Sequence, residues 1–146
     1  MKRFSWGAFV TIALGALIVL TPYGVFPVCE AAVLTAAGGS VPMKCFWTAR
    51  ASLGNGGLAM AAGFLLLFAQ NPGLRLGLAS LVLAAGLLTV LAPTALIGVC
   101  RGETMPCHMG TLPALMLLGG LTMLVGAAMA FKAKKAMPGR ACRGRA

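Results

Sequence analysis

Residues 75–99 read RLGLASLVLAAGLLTVLAPTALIGV, a long stretch whose one charge stands at its first position. Between Leu76 and Leu88 apolar and polar residues do not alternate. Inside lipid every backbone N–H and C=O must be satisfied within the protein, which leaves helices or closed barrels, and barrel strands would alternate. The stretch is therefore a helix, and it exceeds the roughly 20 apolar residues needed to cross a hydrocarbon core of about 30 Å. Three further stretches qualify, at about 6–26, 48–70 and 111–131, and Ala59 to Ala69 likewise lacks alternation. The predicted fold class is an all-α integral membrane protein, a four-transmembrane-helix bundle.

Composition points the same way. Hydrophobic residues make up 60% of the chain and charged residues 10%, with mean hydropathy +0.94. A water-soluble domain of this size does not carry that balance. The helices leave no segment long enough for a soluble domain, so residues 1–146 are read as a single membrane domain. Lys2 and Arg3 precede an apolar run as in a signal peptide. No small-x-small site follows in the expected place and no lipobox precedes Cys29, so the run is read as an uncleaved first helix.

A short pattern occurs twice. Leu20, Pro22, Val28 and Cys29 recur as Leu91, Pro93, Val99 and Cys100 at an offset of 71, and Gly15 and Gly86 match at the same offset. Met43, Cys45 and Thr48 follow the first copy; Met105, Cys107 and Thr111 follow the second. The pattern predicts two repeat halves, 1–72 and 73–131, each a helical hairpin with a cysteine loop, followed by a basic tail at 132–146. Halves repeated in the same orientation are related by an axis along the membrane normal.

Charge orients this arrangement. Lys2, Arg3, Arg75, Lys132, Lys134, Lys135, Arg140, Arg143 and Arg145 fall on one side, whereas Lys44, Arg50 and Arg101 share the other with Glu30 and Glu103. The excess of basic residues predicts that both termini are cytoplasmic and both cysteine loops external. It also gives the net charge of +10 its meaning. Basic residues directly after a spanning helix hold topology and attract anionic lipid heads. Without aromatic residues interleaved among them, they do not indicate nucleic acid.

Cys29, Cys45, Cys100 and Cys107 then face an oxidising space, where disulfides persist, while Cys142 faces the cytosol. Four cysteines allow three pairings. Because each pair lies in one hairpin, Cys29–Cys45 and Cys100–Cys107 are expected, with pairing across the hairpins as the alternative. Each bridge would contribute about 2–3 kcal/mol by restricting the unfolded loop.

Within the helices, Gly54, Gly57 and Ala61, with neighbouring Gly56 and Gly63, give the second helix a small-residue face for close helix packing. Asn55 beside them is read as an interhelical hydrogen-bonding residue, or alternatively as the lining of a polar path. Pro22 and Pro93 are expected to bend or end helices one and three. No ionisable residue stands at the middle of a span, which argues against a proton-coupled transporter.

The loops carry the remaining chemistry. Met43, Cys45, Met105, Cys107, His108 and Met109 supply thiolate, thioether and imidazole, a donor set suited to copper(I), or to zinc(II) if the thiols are reduced. Against that reading, outward thiols oxidise and neither loop has a C-x-x-C spacing. The same lack weakens a thiol–disulfide oxidoreductase. No Ser–His–acid set is evident, and no cofactor or catalytic residue is assigned.

The phrases Met43-Lys44-Cys45-Phe46-Trp47-Thr48-Ala49-Arg50-Ala51 and Val99-Cys100 to Met105-Pro106-Cys107 resemble a bacterial family of small four-helix membrane proteins classed as a domain of unknown function. The resemblance covers nearly the whole chain. It implies the architecture, a bacterial cytoplasmic membrane location and association with an ABC-type permease, and it names no reaction. Phe46 departs from it, since a His is expected after the cysteine of the first loop; this further weakens the metal reading. The expected function is a non-enzymatic accessory or interaction subunit, with a membrane-protein partner or a second copy of itself. The alternative is soft-metal binding or transport, or thiol–disulfide redox, at the outward loops.

Overall fold

The computed structural model describes residues 2–25, 32–34, 39–42, 44–98 and 107–137. Four α-helices dominate: α1 (Lys2–Leu20), α2 (Lys44–Phe68), α3 (Pro72–Leu91) and α4 (Leu112–Lys135). With their flanking turns they form four spans long and apolar enough to cross a membrane, Trp6–Gly24, Lys44–Phe68, Pro72–Leu96 and His108–Lys135. The chain is a multi-pass membrane protein.

The helix ends differ from the sequence expectation for physical reasons. Helix α2 begins at Lys44 rather than near Thr48. The long stems of Lys44 and Arg50 can carry their charges to the membrane surface, so the helix need not wait for the apolar run. Helix α3 begins at Pro72 rather than Arg75, with Asn71 extended before it (φ −79°, ψ 130°). Proline suits the first helical position, where its missing N–H would have no partner in any case. Helix α4 runs on to Lys135, and Lys132, Lys134 and Lys135 in its last turn complement the negative end of the helix dipole.

The four helices form a ring. Helix α1 packs along α2 and α3 along α4; less extensive seams between α2 and α3 and between α1 and α4 close it. The α2–α3 turn is held by Arg75, whose Nε donates to the Ala69 carbonyl at 2.7 Å. The connection between α1 and α2 contains an antiparallel pair of short strands, β1 (Ala32–Leu34) and β2 (Ser40–Pro42), with Val33 opposite Val41. This small ribbon was not anticipated; it lies outside the helices and leaves the all-α membrane class intact.

A core cluster of Ala8, Ala62, Leu66, Ala69, Leu78, Ala79, Val82 and Met129 fills the ring toward the end that carries the α2–α3 turn and the C-terminus of α4. We call this the tail end and the opposite one the loop end. Alanines dominate the core, as suits helices that associate by close packing where lipid provides no hydrophobic drive. Many of the large residues point outward: Phe9, Phe64, Phe68, Leu117, Leu124 and Phe131 are exposed to what a bilayer would cover. Buried hydroxyls return to their own helices, Thr11 to Gly7 O at 2.8 Å, Thr89 to Ala85 O at 2.8 Å and Thr122 to Leu118 O at 2.7 Å. Each of these three hydroxyl hydrogens thereby has an acceptor within its own helix.

Candidate functional site

At the loop end, α1 and α3 finish alike, in π-helical turns at Thr21–Val25 and Ala92–Leu96. Each turn contains a buried proline, Pro22 or Pro93. A proline ring lacks the N–H of the α-ladder and clashes with the carbonyl four residues earlier, and a wider turn relieves the clash. Threonine hydroxyls take up the preceding carbonyls: Thr21 donates to Leu17 O at 2.7 Å and Thr94 to Val90 O at 2.8 Å. The second turn closes when Ile97 N and Gly98 N both donate to Ala92 O, at 3.0 and 3.2 Å. Gly98 follows at φ 80°, a left-handed conformation that favours glycine.

This end is tied across the hairpins. The buried Thr48 hydroxyl, one turn into α2, donates to Gly98 O at 2.9 Å, and Ser52 donates to Thr48 O at 2.9 Å. Nearby, Arg50 lies 5.1 Å over the Phe46 ring, which meets Trp47 edge to face at 5.8 Å. A cation over an aromatic face, near the membrane surface, fixes the orientation of this turn.

The predicted cysteine sites are only partly described. Cys45 is buried in the first turn of α2. Cys29 and Cys100 lie outside the described residues, as do Met43, Met105 and the side chain of Cys107, so the expected Cys29–Cys45 and Cys100–Cys107 pairings fall there too. Cys107 opens a π-helical turn, Cys107–Thr111. Four positions separate Cys107 from Thr111, whereas three separate Cys45 from Thr48. A π turn closes over one residue more than an α turn, so it absorbs the extra residue and still buries Thr111 as α2 buries Thr48.

His108 in that turn is half-buried, its Nδ1 sequestered without a hydrogen-bond partner, while Met109 is 70% exposed. Among the described residues no group of three or more His, Cys, Asp or Glu side chains comes together. Of the six expected soft-metal donors, the structure therefore describes Cys45, His108 and Met109, and Met109 projects outward.

The packing residues require a correction. Gly54, Gly57 and Ala61 do not form the seam of α2 within the bundle: Gly54 and Ala61 are exposed, and a side chain at Gly54 or Gly57 would meet nothing within 4 Å. Asn55 is half-buried, and its side-chain amide makes no hydrogen bond among the described residues. The close contacts fall one helical face away. A Cβ at Gly56 would lie 2.8 Å from Gly15 O, and one at Gly63 would lie 2.8 Å from Ile12 Cγ1. The α3–α4 seam has the same form, with Gly119 against Gly86 O at 3.0 Å and Gly126 against Leu83 N at 2.6 Å. Sequence reading found the small residues of α2, but the face is chosen by the partner helix. The signal that could have found it is an offset of 63, linking Gly56 to Gly119 and Gly63 to Gly126.

Two lipid-facing grooves flank α4 at the tail end. One, of about 190 Å³, lies between α1 and α4 and is lined by Trp6, Gly7, Val10, Val125, Met129 and Lys132 among others. The other, also about 190 Å³ and more open, lies between α3 and α4 with Lys134 and Phe131 on its wall. Neither was anticipated, because no motif marks a groove made by the absence of side chains.

Residues 11–132 match the family model described as Domain of unknown function (DUF4418). No curated protein and no solved structure matches the chain. The matched region runs from the first half of α1 to the last turn of α4 and includes both loops, and the chain belongs to this family.

Proposed function

We propose that this member of the DUF4418 family is a non-enzymatic accessory subunit of a bacterial membrane complex, a helical scaffold that docks on a membrane-protein partner such as an ABC-type permease. One observation carries the reading: the α1–α2 and α3–α4 seams are made by close glycine contacts, while a second small-residue face on α2, Gly54, Gly57 and Ala61, is left pointing outward beside exposed Phe64 and Phe68. A notch of small residues between large apolar ones admits another helix at close range.

The chain is further read as two repeat hairpins in the cytoplasmic membrane, with both termini inside and both cysteine loops outside. The repeat is supported by paired contacts. Ile12, Gly15 and Val19 of α1 meet Gly56 and Gly63, and Leu83, Gly86 and Val90 of α3, each 71 positions on, meet Gly119 and Gly126. The orientation is supported by Arg75, Lys132, Lys134 and Lys135 gathering at the tail end. In the external space the cysteines would form the bridges Cys29–Cys45 and Cys100–Cys107.

Purification from the native membrane in mild detergent, followed by mass spectrometry, tests the main reading. A stoichiometric permease subunit supports it, and a chain that purifies alone or only with itself refutes it. The second reading, a soft-metal or thiol-redox site at the loops, draws on the unpartnered Nδ1 of His108 beside Cys107. Stoichiometric copper or zinc with four reduced loop thiols would favour it instead.

A further inference from the structure

The two grooves along α4 lie on different seams, and the register of the halves accounts for the one between α1 and α4. The seams α1–α4 and α2–α3 correspond under the two-fold relation of the proposed repeat, on which this comparison rests. Adding 71 to positions in α1, and subtracting 63 from positions in α4, places Leu78 where Gly7 stands, Gly77 where Trp6 stands, Leu66 where Met129 stands and Ala69 where Lys132 stands. In the α2–α3 seam Leu78 is buried in the core cluster with Leu66 and Ala69, and the crevice is filled. In the α1–α4 seam Gly7 has no side chain to place there; buried Met129 packs against it, and a groove stays open beside the two. The open copy, not the filled one, also has a cation and an exposed tryptophan on its wall.

We propose that the groove between α1 and α4 binds one anionic phospholipid, with the phosphate at Lys132 and an acyl chain lying against Gly7, Val10 and Val125. Lys132 stands in the last turn of α4, where a helix emerges from the hydrocarbon, and its ammonium complements a headgroup phosphate. Trp6 is 75% exposed on the opposite wall, and its indole combines an apolar body with an N–H donor suited to the headgroup boundary. The rest of the wall is apolar, as an acyl chain requires. A free phosphate would use Lys132 alone and leave the apolar length of the groove in contact with nothing, so the lipid is the occupant that fits both ends.

Native mass spectrometry of the full chain from nanodiscs of mixed phosphatidylglycerol and phosphatidylcholine tests this. Both leaflets then carry both lipids, so the outcome depends neither on membrane orientation nor on any protein partner, and it can fail or succeed independently of the accessory-subunit reading. One phosphatidylglycerol per chain is expected to survive activation that strips the other lipids. Lys132→Gln should lower its retention about fivefold, the effect of losing one basic residue near an anionic headgroup. Lys135→Gln removes the same charge outside both grooves and should leave retention unchanged. Gly7→Leu, which puts in α1 the side chain that fills the corresponding crevice in α3, should displace the lipid with Lys132 intact. A Cβ there meets Met129 Sδ at 2.8 Å, a side chain able to move aside. Equal retention of the two lipids, or equal losses in Lys132→Gln and Lys135→Gln, would overturn the proposal in favour of diffuse attraction to the basic tail.

Discussion

Replacing Gly86 by alanine tests the packing of the bundle most sharply. An added Cβ would lie 2.6 Å from Met123 N, 2.9 Å from Gly119 O and 3.1 Å from Met123 Cα. All three are backbone atoms, so no rotamer change relieves the contact and α3 and α4 must move apart. Overpacking costs about 1–3 kcal/mol, and an unyielding backbone puts this site near the upper end. Alanine recovers about 1 kcal/mol of helix propensity over glycine. The net expectation is a loss of about 2 kcal/mol. Gly57→Ala is the control, since its Cβ would meet nothing within 4 Å and only the propensity gain applies. The two variants should therefore differ by about 3 kcal/mol, more than a hundredfold in the folding equilibrium. Titration with sodium dodecyl sulfate in non-ionic micelles, followed by circular dichroism, reads that difference. If Gly86→Ala proves as stable as Gly57→Ala, the helices are not in backbone contact at this seam and the argument fails.

Other variants probe separate features. Because Gly86 and Gly119 face each other, Gly86→Ala and Gly119→Ala should be less than additive in the same titration. Thr48→Val removes the hydroxyl bound to Gly98 O and should cost about 1 kcal/mol, whereas Thr94→Val, at an exposed hydroxyl bonded within its own helix, should cost little. Deleting Gly110 restores the three-position spacing found between Cys45 and Thr48; the π turn should become an α turn with the fold retained, as amide hydrogen-bond patterns by NMR would show. An impermeant thiol reagent applied to intact cells after mild reduction should label the loop cysteines and spare Cys142, and labelling of Cys142 alone would invert the proposed topology.

The spans were legible because a bilayer asks one simple thing of a sequence, length without charge, and residues 75–99 answer it without any knowledge of neighbours. Helix ends were less so: Lys44 and Pro72 look like boundaries to a hydropathy window, yet a snorkelling stem and a first-position proline both belong inside a helix. The proline register did predict where α1 and α3 change, though not that both would widen into π turns. The inward face of α2 was not legible, because Gly54, Gly56, Gly57 and Gly63 differ in nothing but direction, and direction depends on α1. The tail-end groove escaped altogether. Its key residue, Gly7, is informative only against Leu78, and that comparison needs the register of the halves.

The glycine seams also determine how the molecule should respond to the bilayer around it. Within each hairpin, backbone rests on backbone at contacts such as Gly15 with Gly56 and Gly86 with Gly119, so at those points the two helices meet with no side chain between them. The seams joining one hairpin to the other are less extensive, and the one between α2 and α3 is bound at one end by the Arg75 clasp and at the other by the Thr48–Gly98 bond. Each hairpin therefore behaves mechanically as a stiff plank. When lipids of different chain length alter membrane thickness, the accommodation should appear as tilting and sliding of two planks past each other, with the spacing inside each plank unchanged.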